Sequence, residues 1–133
     1  MSNAKPFFAY SSWDAIPVLA GIGHFLYVLF LFFSFPYLPW WLFVPLGLVY
    51  SFSISWNING VSHNFIHNPY FSSAALNRLF SLMLSLTMAF SQAMYHWVHM
   101  RHHSGNMDRK NAEGTTIDPI SIYRYGRDGM AEH

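Results

Sequence analysis

The chain has 133 residues and a net charge of +1; only 10% of its residues are charged, while 53% are hydrophobic and 20% aromatic. A soluble domain carries about 25% charge, so this composition excludes an ordinary water-soluble globule. The absence of cysteine excludes a disulfide framework, a zinc–thiolate site and an iron–sulfur site, which leaves histidine, carboxylates or water to hold any metal.

No Asp, Glu, Lys or Arg occurs from Ala15 through Asn77, and a second uncharged run extends from Leu79 to Met100. Runs of this kind mark an integral membrane protein. The N-terminus lacks the basic region and small-residue cleavage site of a secretory signal, so 16–35 reads as a retained transmembrane helix of ~30 Å. Pro36-Tyr-Leu-Pro39 then forces a reversal, because each proline disfavours helix in the residue before it. Trp40 and Trp41 follow, where aromatic residues favour the membrane–water boundary.

The second helix starts there and continues to His67, ending before Asn68-Pro69. It is ~42 Å long, so only about 40–59 lies in the hydrocarbon and its end projects beyond. His63 and His67 then stand on a stalk continuous with a spanning helix.

A third helix is expected over about 73–104, capped by Ser73 and stopped near Gly105. At about 100° per residue, Asn77, Arg78, Ser81, Ser85, Gln92, His96, His99 and His103 fall on one polar face. Within this chain, Asn77, Ser81, Ser85 and Gln92 are expected to lack partners. The uncharged part of this helix covers only ~24 Å, short for a span. With two crossings, Lys5, Arg78, Arg101, Arg109, Lys110, Arg124 and Arg127 all lie on one side, as the positive-inside rule asks. The third helix is therefore expected to lie in or against the cytoplasmic leaflet. A polar cytoplasmic tail, 105–133, follows, with a turn at Asp118-Pro119.

The histidines carry the chemistry. Imidazole beside hydrocarbon is expensive and usually has a task. His63 and His67 are spaced i, i+4, and His99, His102 and His103 are spaced i, i+3, i+4, so each set shares a helical face. Neutral imidazole is a common ligand for iron, zinc and copper. The count exceeds what one tetrahedral structural ion requires and fits a two-metal site. His96 is a candidate supporting ligand. His24, alone in the first span, reads as a helix-packing hydrogen-bonder. No glycine-rich phosphate loop is present, and no nucleic-acid partner is expected.

His63-Asn-Phe-Ile-His67 and His99-Met-Arg-His102-His103, in this order and spacing, resemble the first two histidine boxes of the membrane fatty acid desaturase/hydroxylase superfamily. Asp118-Pro119 after the second box is also similar, and the resemblance covers roughly residues 16–120. It implies an all-α, integral membrane fold with two transmembrane helices and a leaflet-lying helix carrying the second box, the whole of 1–133 forming one N-terminal part of such a domain. It implies two non-haem irons held by His63, His67, His99, His102 and His103, with O2 as co-substrate. It also implies an acyl-lipid substrate and an electron donor of the ferredoxin, rubredoxin or cytochrome b5 type. The expected activity is acyl-lipid desaturation. The alternatives are a hydroxylase, monooxygenase or ketolase of the same superfamily acting on an alkane, sterol or carotenoid, and a non-catalytic membrane metal- or haem-binding protein. The superfamily's third box has no counterpart in this sequence, so a truncated chain, inactive alone, is expected.

Overall fold

A computed structural model describes residues 6–104. Two compact units divide the chain, Met1–Gln92 and Ala93–His133. Among the described residues every extended element of secondary structure is helical; the β contribution is an isolated bridge between Phe8 and Phe71. The predicted tail, 105–133, with Asp118-Pro119 and Arg109, Lys110, Arg124 and Arg127, lies outside the described residues, as does Lys5.

The first unit opens with a capped turn. Ser11 Oγ accepts from Trp13 N at 3.2 Å and Asp14 Oδ2 accepts from Ser11 N at 3.2 Å, a reciprocal cap. Helix α1, Ala15–Ser34, follows, and a turn over Phe35–Tyr37 leads to α2, Phe43–Trp56. Counting the flanking turns, Ser12–Tyr37 and Trp40–His67 are two helices long and apolar enough to cross a membrane. Their outward side chains agree: Phe32, Val44, Leu48 and Phe52 are largely exposed, as lipid-facing residues must be.

Two side chains of the first span hydrogen-bond to the second, while His24 Nε2 is buried without a partner. Ser53 has one hydroxyl proton, which it donates to the Tyr50 carbonyl at 3.0 Å. His24 Nδ1 lies 2.9 Å from Ser53 Oγ, a hydrogen bond that joins the two spans. Tyr27 OH donates to the Leu46 carbonyl at 2.8 Å. His24 is thus the helix-packing residue that its sequence position indicates.

The second span does not stay regular to its end. Asn57–Ser62 is a π-helical segment, which leads directly into α3, His63–His67. A π-turn holds more residues than an α-turn, so it rotates everything that follows; such turns are frequent at functional sites. Here it turns Asn57, Val61 and Ser62 inward. The core forms around it from Val18, Val61, Phe65, Tyr70, Phe71, Phe80, Leu84 and Met88. Phe80 is central, with ring centroids 5.2 Å from Phe65, 5.8 Å from Tyr70 and 5.8 Å from Phe71.

Helix α4, Ala74–Met88, starts on Ser73, whose side chain accepts from Leu76 N at 3.4 Å. The expected single helix over 73–104 is corrected at this point. It ends at Met88, Ala89 adopts a left-handed conformation with φ 56°, and α5, Gln92–Ser104, begins anew. The cause is local. Ser85 and Thr87 hydroxyls bond back to the Ser81 and Met83 carbonyls at 2.7 and 2.6 Å, a pattern that bends helices. Ser85 Oγ also accepts from the backbone N–H of Gln92 at 3.0 Å, holding the new start. With the break, the polar face from Asn77 to His103 is not one continuous stripe.

The expected lack of partners along that stripe is corrected too. Asn77 clamps the loop before α4, accepting from Phe71 N at 3.0 Å and donating to Phe71 O at 2.7 Å. Gln92 Nε2 donates to Ser62 Oγ at 2.5 Å, with both residues buried.

Candidate metal centre

Within the first unit, His63 and His67 bound the short helix α3, and their rings lie 5.2 Å apart between centroids. Phe65 and Ile66, on the opposite side, are buried in or beside the core, so the histidines face outward: His63 is half-buried and His67 exposed. The helix stops where Asn68 turns extended, as a residue before proline must. The loop beyond is held from three sides. Tyr70 OH donates to the Val61 carbonyl at 2.8 Å, Ala9 N donates to the Tyr70 carbonyl at 2.8 Å, and Ser72 N donates to the Phe7 carbonyl at 3.1 Å. Burial raises the Tyr70 phenol well above its ordinary range, with the Asp14 carboxylate adding to the shift. The sequence alone gave no signal for this tyrosine anchor or for the π-turn behind the first box.

Within the second unit, α5 presents His99, His102 and His103. His99 Nε2 and His103 Nε2 are 2.8 Å apart, with centroids at 4.4 Å. The His102 ring stands beside them, 6.3 Å from His99 and 5.9 Å from His103. His96 lies exposed one turn earlier, outside this grouping. Tyr95, which the sequence reading passed over, packs edge-on against His99 at 5.6 Å, and burial holds its phenol above the ordinary range. Arg101 lies 5.0 Å over the Trp97 ring, a cation–π contact on the same helix.

Two Nε2 atoms at 2.8 Å cannot both present bare lone pairs to each other. Either they share a proton, or both address one cation. The 2.8 Å spacing is that of a hydrogen bond between the rings, and the i, i+4 spacing keeps both nitrogens on one face of α5, where they could turn to one cation. The donor set is nitrogen without thiolate, which suits iron, copper, nickel or zinc. Within its own unit, each histidine set therefore offers neighbouring imidazole donors: His63 with His67, and His99 with His103.

Fold and histidines together define an all-helical, membrane-type protein with clustered histidines. The family model for fatty acid desaturase matches residues 39–125, a stretch that contains both histidine sets, and the chain belongs to this family. No curated protein and no solved structure gives a match. Membership places the chain among desaturase-like oxidoreductases of membranes.

Proposed function

We propose that this chain belongs to an O2-dependent di-iron desaturase that introduces a double bond into the acyl chain of a membrane lipid. The two histidine sets together hold the metal: His63 and His67 from α3, and His99, His102 and His103 from α5, with His96 as a supporting residue. The observation that carries the reading is the paired Nε2 geometry of His99 and His103 on a helix that the family match includes.

When bound, iron supplies the activation of O2 that an unactivated C–H bond requires. In the balance of the reaction, O2 takes up two electrons from the acyl chain's C–H bonds and two from a ferredoxin, rubredoxin or cytochrome b5-type donor, leaving an alkene and water. The chain's own residues bind, orient and shield. The i, i+4 spacings preset the imidazoles on one face of each helix before metal arrives, which limits the ordering cost of binding. Tyr95 packs against His99 and restricts its ring. The second span brings α3 just past the end of the hydrocarbon, where an acyl chain arrives along an apolar path. On a reading with two crossings, the positive-inside rule favours the cytoplasmic side for the histidines, with α4 and α5, each too short to cross by itself, against that leaflet.

Lipid profiling of cells expressing the protein, with and without His102→Ala, tests this reading. A new double bond in an acyl chain, lost in His102→Ala, is the expected result. A new hydroxylated product with no new double bond would replace desaturation by hydroxylation.

A further inference from the structure

Gln92 stands where the helix of the second histidine set begins, yet it behaves as a core residue. It is 2% exposed, and its partner Ser62 is 0% exposed. A primary amide is costly to bury unless it is hydrogen-bonded; its Nε2 is bonded while its Oε1 is buried without a partner, and the residue is held at two points, backbone and side chain. The backbone N–H, one of the unsatisfied donors of a helix start, bonds to Ser85 Oγ on α4 at 3.0 Å. The side-chain Nε2 donates to Ser62 Oγ at 2.5 Å, on the π-helical segment. Ser62 immediately precedes His63, and Gln92 precedes His99 by about two helical turns. The preceding link, with Ala89 left-handed, is a strained break without regular helical hydrogen bonding. Gln92, the first residue of the helix after that break, is bonded both to the helix before it and to the π-helical segment.

We propose that Gln92 is a positioning residue: its buried amide, bonded to Ser62, sets the origin of the second-box helix against the first-box turn, so that both boxes address one metal centre. The inference rests on the shared-centre reading above for its consequence, but not for its geometry. Gln92 acts through Ser62 and the start of α5.

The experiment uses the full chain in detergent, which is free of native cysteine. Nitroxide labels at Asn64→Cys and Met100→Cys, both exposed positions, report the separation of the two boxes by pulsed electron resonance without any metal. The chain with native Gln92 gives one narrow distance population. Gln92→Met, which keeps the side-chain length and removes the amide, broadens it, and Ser62→Ala does the same. The double variant is no broader than either single one, because both remove one bond. Helical circular dichroism stays unchanged in all three. Co2+ titration of the same samples gives a roughly tenfold weaker affinity in each variant, the size of effect expected when the support of a ligand is lost. An unchanged label distribution in Gln92→Met, or broadening in Gln92→Met without broadening in Ser62→Ala, overturns the proposal. If Co2+ binding proves independent of His67 or His99 while the label distances respond as stated, the shared-centre reading fails and the positioning role of Gln92 stands.

Discussion

A Cβ on Gly21 would lie 3.0 Å from Phe80 Cζ and 3.2 Å from Val61 Cγ1, so the first span approaches the core only because this residue has no side chain. Gly21→Leu forces the Phe80 ring and the π-helical segment outward. Overpacking of this kind costs about 1–3 kcal/mol, and a lowered thermal midpoint in detergent is the expected result; an unchanged midpoint would mean that α1 does not seat there. Tyr70 makes a pH-dependent contribution. Its folded-state pKa is raised above the ordinary value of 10.0, first by burial and then by Asp14. A group with a raised folded pKa contributes stability that is fully present below its unfolded pKa and is lost as pH rises beyond it. Stability should therefore fall above pH 10.0, and Tyr70→Phe should lack that alkaline loss. At neutral pH the same variant leaves the Val61 carbonyl without its donor and should cost about 1 kcal/mol. Denaturation measured at neutral and alkaline pH separates the two effects.

Among the elements, the break between α4 and α5 is the one that sequence reasoning missed, and the reason is physical. Residues 74–104 contain no proline, and the nearest glycine comes only at Gly105, so nothing in the residue types announces a stop. The stop comes from hydroxyls that bond to nearby backbone and from Ala89 in a conformation that glycine adopts at far less cost. Ala89→Gly should consequently stabilise the protein, by up to about 1 kcal/mol, because the left-handed strain of alanine exceeds the added freedom of an unfolded glycine. Loss of stability in Ala89→Gly would show that the break is not left-handed in solution. The spans were far more legible. Their uncharged runs, Pro36 and Pro39 between them and Asn68-Pro69 at the end are local signals that no tertiary contact needs to override. The π-turn over Asn57–Ser62 was not legible, since it depends on packing of Val61 in the core and on the bond from Ser62 to distant Gln92. The histidine spacings were legible because i, i+3 and i, i+4 project to one helical face whatever surrounds them; Tyr95 and Gln92 were not, because their roles depend on what packs against them.

Two crossings with both boxes on one side predict that single cysteines at Ser72 and Ser104 react with an impermeant reagent from the cytoplasmic face alike. Labelling from opposite faces would mean that α4 and α5 together traverse the bilayer. The central claim, that the two histidine sets share an iron centre, is tested most directly by the iron content of the protein purified from iron-replete cells, set beside His67→Ala and His99→Ala. The account predicts bound iron in the unsubstituted protein and its loss in either variant, because each box alone leaves the site incomplete. Iron content that survives His67→Ala or His99→Ala unchanged would contradict it.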